Sequence, residues 1–407
     1  MFCPIKPTAW ITAGLSLFYC TAAQGKVGDA WEFSAGSLLR HEDNLFRSTS
    51  DNERNEQIVS TFAAVSGEQA ISRQNLKLDA RFSDNRYHHY DYLDYSAWEA
   101  EAAWDWLATS RLQGVLGADY NESINSFADF SGTEQNIRTR RRYYLDADWR
   151  VVGRWRLLAG GAHYQQENSS LYRVEGDYQS DSWELGAGYD TPSGSNISVS
   201  LRNTDGDYAN RVISAADRVD SGFEQRLAEM RFLWIFSGKS KIRGNLGYVE
   251  REHDHYGERD YQGAIGGLSL DYQWTGSTSV TAAIEQNLVS YQSSPVTDVD
   301  KVITGQAYYN SSYYRRRLVS IGPLWRYSAK VSLHARWRYE ERDYQGGLLT
   351  AMDGRKDRLQ TLVLGGDWSP VNYVLIGAAL QRERRASNQT NADFNSDMAT
   401  LSLTFTF

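Results

Sequence analysis

The last ten residues of the sequence, M-A-T-L-S-L-T-F-T-F at positions 398–407, alternate apolar and small polar side chains. The apolar members are Ala399, Leu401, Leu403, Phe405 and Phe407, and a serine or threonine stands between each pair of neighbours. A period of two places one kind of side chain on each face of a β-strand. The segment therefore predicts a strand with one apolar and one polar face.

The same alternation recurs along the chain, for example at 111–120, 264–274, 331–340 and 374–380. The best candidate for a helix is 98–106, W-E-A-E-A-A-W-D-W, because alanine and glutamate favour helices. A strand, however, would put its three tryptophans on one face, whereas a helix would scatter them. We interpret this segment as a strand too.

The composition agrees with an all-β protein. The 407 residues include 26 Tyr and 13 Trp but only 6 Pro, and aromatic residues favour strands whereas proline disrupts them. A net charge of −8 argues against a nucleic-acid partner. After the N-terminal segment no apolar run approaches the ~20 residues that a membrane helix needs, but barrel strands, apolar on one face, need no such run.

Residues 1–23 have the pattern of an export signal. Lys6 gives a positive flank, an apolar run follows at 9–19, and small residues precede a cleavage site after Ala23. A lipid anchor on Cys20 is the alternative, but two aromatic residues stand where its recognition sequence needs small ones. We expect residues 24–407 to form a single β-barrel domain without cysteine, and hence without disulfides.

Short and long connections alternate between the predicted strands. The short ones are turn-like, as at 237–240 and 275–278, and the long ones are polar, as at 40–56 and 204–221. This pattern predicts an up-and-down antiparallel meander with short turns at one rim and long loops at the other. Outer-membrane barrels have even strand counts, short periplasmic turns and long extracellular loops.

We count about 18 strands, with 16 as the alternative. The predicted strands begin near Asp29, Gln57, Ser72, Tyr95, Arg111, Thr139, Arg154, Tyr178, Asn196, Glu224, Lys241, Gln262, Ser279, Arg316, Lys330, Asp357, Asn372 and Ala399. Residues 302–315 are assigned to a long loop, because an extra strand there would make the count odd. Pro323 falls inside a predicted strand and predicts a bulge or a register error.

Three features favour a membrane barrel over a soluble sandwich. Nearly every predicted strand has one apolar and one polar face, and the polar faces carry charges that a sealed core would have to neutralise. Tryptophans recur toward strand ends, as in an interfacial girdle, at Trp31, Trp149, Trp183, Trp234, Trp274 and Trp368. Closure is required in lipid, so we expect the last strand to pair with the first around Phe33 and Ala35.

The predicted inward faces carry charges of both signs. The candidates are Asp79, Arg81, Arg111, Asp119, Arg142, Asp146, Asp148, Arg202, Arg243, Asp271, Glu285, Arg336 and Arg338. They could form cross-strand ion pairs that stiffen a wide barrel. They could also guide a hydrated, acidic saccharide along an aqueous lumen.

No metal, cofactor or catalytic site is predicted. The loop histidines His253 and His255 lie near Asp254 but match no zinc-site spacing. His334 and Ser332 share the inward face of one strand, yet no nucleophile-elbow motif accompanies them. We therefore do not expect an enzyme.

Three segments resemble the outer-membrane proteins of exosortase-linked exopolysaccharide operons, within the beta-barrel porin group. They are H-E-D-N-L-F-R at 41–47, R-W-R-Y-E-E-R-D at 336–343 and Q-R-E-R-R-A-S-N at 381–388. The resemblance implies a role in exopolysaccharide biosynthesis or export across the outer membrane, with polysaccharide and a periplasmic export partner as contacts. The terminal Phe407 likewise resembles the signal that the outer-membrane assembly machinery recognises.

Two functions follow from this reading. The first is a porin-like channel in the lipid of the bacterial outer membrane that serves polysaccharide export. The second is a structural or adhesive barrel whose lumen is plugged and whose outer loops bind a partner.

Overall fold

The computed structural model describes residues 31–128, 133–169, 176–211, 213, 220–290, 313–345 and 354–407. The predicted export signal, the predicted strand start near Asp29 and most of the predicted loop 302–315 lie outside these ranges. Among the described residues, no helix is long and apolar enough to cross a membrane.

One antiparallel sheet contains all the described strands. They are β1 Trp31–Glu42, β2 Glu56–Ile71, β3 Gln74–Tyr87, β4 Tyr95–Leu107, β5 Leu112–Ile124, β6 Ile137–Val152, β7 Trp155–Asn168, β8 Tyr178–Asp190, β9 Asn196–Asp207, β10 Gly222–Ser237, β11 Ser240–His253, β12 Tyr261–Gln273, β13 Thr278–Ser290, β14 Tyr313–Arg326, β15 Val331–Gln345, β16 Lys356–Val371, β17 Val374–Ser387 and β18 Phe394–Thr406. Short 3-10 helices lie in three connections, at Ser50–Asn52, Asp91–Leu93 and Gly257–Arg259.

The sheet closes on itself as predicted. Each strand pairs with its sequence neighbours, and β1 pairs with both β2 and β18. Ala35 lies opposite Phe405, and the backbone of Phe33 exchanges hydrogen bonds with that of Phe407 (3.3 and 2.8 Å). Because no strand edge stays open, every strand can satisfy its backbone groups within the sheet, as a hydrocarbon environment requires.

The strand count of 18 is confirmed, and the predicted starts from β2 to β17 fall within three residues of the observed ones. The exception is β18, which begins at Phe394 rather than at Ala399. The part of β18 nearest the long-loop rim, which we call its outer part, contains Asn395 and Asp397. An alternation argument based on apolar residues therefore misses this part. The bulge expected at Pro323 is wrong, because Ile321 pairs with Trp337 and Leu324 with His334 in one continuous register.

The two faces of the wall differ sharply. On the concave face side chains two strands apart can meet, and Arg231 of β10 lies 3.0 Å from Glu184 of β8. This charged face is therefore the inward one. The opposite face carries exposed aromatic and aliphatic side chains, among them all six tryptophans predicted for the girdle. Five of those lie near the short-turn rim, whereas Trp183 lies mid-strand.

The largest apolar core cluster lies at the long-loop rim rather than at the centre of the barrel. Ile58 and Leu93 are completely buried there, together with Leu45, Phe46 and Tyr87. Charged residues line the middle of the barrel instead. This distribution suits a water-filled interior that is covered at one end.

Candidate functional site

The candidate site is the inward face of the barrel together with its outer mouth at the long-loop rim. The strand register places the following predicted residues on the inward face: Asp79, Arg81, Asp119, Arg142, Asp146, Asp148, Arg202, Arg243, Asp271, Glu285, Arg336 and Arg338. Arg111 was expected among them, but it lies in the turn before β5 and is exposed. Its carbonyl oxygen accepts a hydrogen bond from the backbone N–H of Arg150 (2.7 Å), so only its backbone continues the ladder.

Several inward charges form ion pairs between neighbouring strands. Arg142 lies 3.7 Å from Asp119, its direct partner on β5, and Arg243 pairs with Asp271. Arg316 contacts Glu285 across 3.4 Å. An exposed cross-strand pair of this kind contributes only about 0.2–1 kcal/mol, so these pairs mainly fix side-chain positions.

The densest cluster joins β8, β9 and β10. Glu184 accepts hydrogen bonds from Arg202 (2.8 Å from Nε) and lies 3.0 Å from Arg231, which also contacts Glu229 at 2.5 Å. Glu184 was not predicted as a site residue. Its inward position follows from its place in the alternation of β8, which is the signal that could have revealed it.

The charges are also segregated around the wall. On β3–β5 the inward face has five carboxylates and two cations: Asp79, Glu99, Glu101, Asp105 and Asp119, with Lys77 and Arg81. On β14 and β15 it has five arginines and one carboxylate: Arg316, Arg326, Arg336, Arg338 and Arg342, with Glu340. We call these the acidic wall and the basic wall.

The two walls face each other across the lumen. In the closed order of eighteen strands, β4 and β15 are separated by seven steps, close to a half-turn. Glu101 is the seventh residue from the outer end of β4, and Arg338 the eighth from the outer end of β15, so they lie at similar depth. A transverse field therefore crosses the lumen near the middle of the barrel wall.

The outer mouth is narrowed by packed loops. Three connections contribute to what we call the outer cap, which comprises residues 43–55, 88–94, 125–128 and 133–136. The ring of Phe46 packs edge-on against those of Tyr90 and Phe127, with centroids 5.0 Å apart in both pairs. The amide of Gln135 donates to the carbonyl oxygen of Asp94 at 2.8 Å. The cap is therefore a packed unit.

Arg385, which lies on another part of the barrel wall, holds the cap. Arg385 of β17 donates to the carbonyl oxygen of Ala128, in a loop that starts at β5, six strands away around the wall. The guanidinium of Arg385 also lies over the ring of Phe394, 4.6 Å from its centroid. The outer cap thus extends across part of the opening.

Arg47 fastens the first cap loop to the wall. It adopts a left-handed backbone (φ 54°) and contacts Glu42 at 3.0 Å and Glu383 at 3.2 Å. Burial disfavours its charge, but the two carboxylates outweigh this effect and raise the pKa of Arg47. The preceding Asn44 is completely buried and donates to the carbonyl oxygens of Ser48 and Asn395 (2.7 and 2.8 Å).

Two further loops are each held by a buried carboxylate that accepts backbone hydrogen bonds from the loop. Glu56 accepts backbone hydrogen bonds from His89 (3.0 Å) and Tyr90 (2.9 Å), and the His89 ring lies at 3.2 Å. Asp220 accepts backbone hydrogen bonds from His255 and from Tyr256 (3.0 Å), and the His255 ring lies at 3.0 Å. Both carboxylates are completely buried.

The anchored loops share a sequence that was not recognised as a repeat. His-Tyr-x-x-x-Asp-Tyr occurs at 89–95 and at 255–261, and each copy contains a 3-10 helix. The aspartates of the two copies, Asp94 and Asp260, each accept a backbone N–H from the end of the preceding strand at 2.7 Å. By contrast, the hexapeptide E-R-D-Y-Q-G at 258–263 and 341–346 begins in a loop in one copy and at a strand end in the other.

Asp220, Asp254 and His255 bring one potential metal-ligand atom each within 4.8 Å of one another. Burial raises the pKa of Asp220, but the ring of His255 and the backbone N–H groups that already contact its oxygens together lower that pKa below its usual value. Burial and then repulsion by Asp220 raise the pKa of Asp254. The geometry fits a loop anchor better than a cation site.

Ser332 and His334, which the sequence places on one inward face, both contact the same carboxylate. Ser332 donates its hydroxyl to Asp367 (3.2 Å), and His334 Nδ1 lies 3.6 Å from the same carboxylate. His163 lies on the outward face beside Asp181 at 2.8 Å. The hydroxyl of Ser332 thus points to an acid rather than to a base, which is not the arrangement of an activated nucleophile.

A closed barrel of eighteen antiparallel strands, apolar outside and charged inside, has the fold of an outer-membrane porin. No protein-family model and no curated protein matches the sequence. Among solved structures, Pseudomonas aeruginosa OccK2 (OpdF) is similar with a TM-score of 0.52 and 10% identity, over 93% of this chain and 97% of that one. OccK2 in complex with glucuronate gives 0.51 and 10%, over 93% and 98%. OccK9 (OpdG) of the same organism gives 0.50 and 13%, over 93% and 98%.

Proposed function

We propose that the protein is a porin-like channel of the bacterial outer membrane that passes hydrated, charged solutes, acidic saccharides among them. The observation that carries this proposal is the charged inward face with its opposed acidic and basic walls. A sealed apolar core would be the cheaper interior for a purely structural barrel, because every buried charge must be paired or solvated. An aqueous lumen solvates these groups and makes them available to a passing solute.

The basic wall is the part that would contact an acidic solute. Arginine binds carboxylates through two parallel hydrogen bonds, and five inward arginines on β14 and β15 offer successive positions along the path. Glu340 is the one inward carboxylate of these strands and lies 2.6 Å from Arg342 and 2.8 Å from Arg338. Glucuronate, held by the similarly folded OccK2, is a suitable first test solute.

Conductance of the purified protein in planar bilayers tests the proposal. The native protein should conduct, and the double variant Arg336→Glu, Arg338→Glu should shift the reversal potential in a salt gradient toward cation preference. Arg317→Glu, on the outward face of β14, is the matched control and should leave the reversal potential unchanged. Absence of current under all conditions, from protein whose circular dichroism shows a folded barrel, would overturn the channel.

We further propose that the channel serves exopolysaccharide biosynthesis or export, as the sequence resemblance implies. The first and third of the segments that carry the resemblance are in contact at the outer mouth, and the second is linked to the third through Asp357. Arg47 of the first contacts Glu383 of the third. Arg342 of the second lies opposite Asp357, which in turn accepts a hydrogen bond from Ser387 of the third at 2.6 Å.

A deletion strain tests this role. Loss of the gene should reduce polysaccharide at the cell surface, and re-expression should restore it. Normal export in the deletion strain would remove the exopolysaccharide role and leave the channel proposal standing. Co-purification after crosslinking would identify the outer-membrane assembly machinery and any periplasmic export partner.

The outer cap favours a second candidate, a plugged barrel whose outer loops bind a partner. The variant Arg385→Ala removes the contact with Ala128 and should raise single-channel conductance if the cap only narrows the path. If the native protein does not conduct but the Arg385→Ala variant does, the plugged barrel is favoured. Arg384→Ala, on the outward face of the same strand, is the control.

A further inference from the structure

The lipid-facing wall contains a groove beside the β1–β18 seam. It has a volume of about 360 Å³ and runs between β16, β17, β18 and β1. Leu362, Leu364 and Leu380 form its apolar sides, and the small side chain of Ala399 leaves its floor open. His41 and Arg382 stand at its polar margin together with the carboxylates Asp43 and Asp397.

The groove lies in a basic sector of the outer rim. Six cations and two carboxylates face outward in the outer parts of β14 to β17: Arg315, Arg317, Lys356, Arg358, Arg382 and Arg384, with Glu341 and Asp343. Asp397 of β18 and Asp43 after β1 add two carboxylates at the groove, so cations still outnumber carboxylates by six to four. The outer parts of β7 to β9 carry four carboxylates instead: Glu167, Asp181, Asp205 and Asp207. The rim is thus basic in one sector and acidic in another.

The cations beside the groove are held only weakly. Arg382 lies 3.7 Å from Asp397, and Arg358 lies 4.0 Å from Glu341, and the two arginine side chains are 67% and 72% exposed. Exposed ion pairs at such distances contribute little to stability. A phosphate, with more charge and three acceptor oxygens, would replace these partners readily.

We infer that this groove is a docking site for lipid A, the phosphorylated glycolipid of the outer leaflet. One acyl chain lies against Leu362, Leu364 and Leu380, and a phosphate contacts Arg382 with Arg358 and Arg384 nearby. Arg382 is the sixth residue from the outer end of β17, and Leu380 follows it toward the membrane centre. This order, charge above and apolar wall below, matches the order of headgroup and chain. The inference rests on the proposed outer-membrane location.

Native mass spectrometry of the full protein in detergent, titrated with lipid A, tests the inference. Arg382→Glu should weaken binding at least tenfold by charge reversal, and Ala399→Phe should do the same by filling the groove. The controls are Arg226→Glu and Ala228→Phe, which make the same changes on the outward face of β10. Heat resistance on denaturing gels verifies that each variant is folded.

Two lipids separate phosphate recognition from general lipid contact. Phosphatidylglycerol and dephosphorylated lipid A should bind at least tenfold more weakly than lipid A. Equal binding of either lipid, or native-like binding by folded Ala399→Phe, would overturn the inference. Cell fractionation tests the membrane location independently, so a protein found in the outer membrane that ignores lipid A would remove this inference alone.

Discussion

At the scale of single residues, the outer loops depend on carboxylates that accept backbone N–H groups. Glu56 and Asp220 are the two examples, and each reaches a loop more than thirty positions further along the chain. Periodicity carries no information about such contacts. The repeated His-Tyr-x-x-x-Asp-Tyr sequence was a signal for them, because it marks the loops that the two carboxylates anchor.

Replacing Asp220 by asparagine should destabilise the loop 254–260. At least one buried N–H group would lose its acceptor, at a cost of about 1–3 kcal/mol. Limited proteolysis of this loop should therefore be faster. Asp254→Asn is the control, and it should leave the loop as stable as before or slightly more stable, since it removes a charge that repels Asp220.

The same carboxylate predicts a pH dependence. The pKa of Asp220 is lower in the folded protein than in an unfolded chain, where an aspartate titrates near 3.9, about pH 4. Its stabilising effect is therefore complete above about pH 4 and is lost as the pH falls further through the folded pKa. The proteolysis rate should rise with acid in the native protein and depend less on pH in Asp220→Asn. Equal pH dependence of both proteins would contradict this assignment.

At the scale of strands, alternation predicted the two faces well because lipid and water impose opposite demands on neighbouring residues. The prediction from alternation failed where the contrast between an apolar outward face and a polar inward face is weaker or reversed. In the outer part of β18 the pattern is reversed, because Asn395 and Asp397 face outward whereas the apolar Phe394 and Met398 face inward and are buried. Arg111 continues the parity of β5 although it lies in a turn. Ion-pair partners were also beyond prediction, since the preference of Arg202 for Glu184 depends on the register between strands.

The alternation of β18 gives a paired test. Leu401 faces outward and is 54% exposed, whereas Thr404 lies on the inward face. Leu401→Arg should lower the free energy of unfolding in lipid by about 2–4 kcal/mol, because it places a charge in hydrocarbon near the middle of the membrane. Thr404→Arg should cost much less. Equal losses in equilibrium refolding into vesicles would show that the faces are assigned wrongly.

At the scale of the whole molecule, closure makes the first strand dependent on the last. The register of β1 with β18 joins residues more than 350 positions apart, so this seam cannot form before the last strand is in place. Closure itself was predictable, because an unpaired edge in hydrocarbon costs several kcal/mol per backbone group. The outer cap could not be predicted, because its contacts join loops whose sequences have no periodic pattern.

Deleting Phe407 should distinguish the folding of the barrel from its insertion in the outer membrane of cells. The deletion removes the two hydrogen bonds to Phe33 but leaves nine residue pairs of the seam, from Ser34–Thr406 to Glu42–Met398. Refolding in detergent should therefore change little. If Phe407 belongs to the assembly signal that its resemblance implies, the amount inserted in the outer membrane of cells should fall. Phe407→Tyr should insert normally. Unchanged insertion after the deletion would mean that this aromatic residue is not part of the assembly signal.

In the proposed channel, the opposed acidic and basic walls would orient any solute that carries both charges. Attraction between opposite charges would turn a zwitterion so that its ammonium group approaches Glu101 and its carboxylate approaches Arg338. Such a molecule would move along the barrel axis with its own dipole perpendicular to that axis. Two isomers of equal size and net charge, but with different separation of their charged groups, would then pass at different rates.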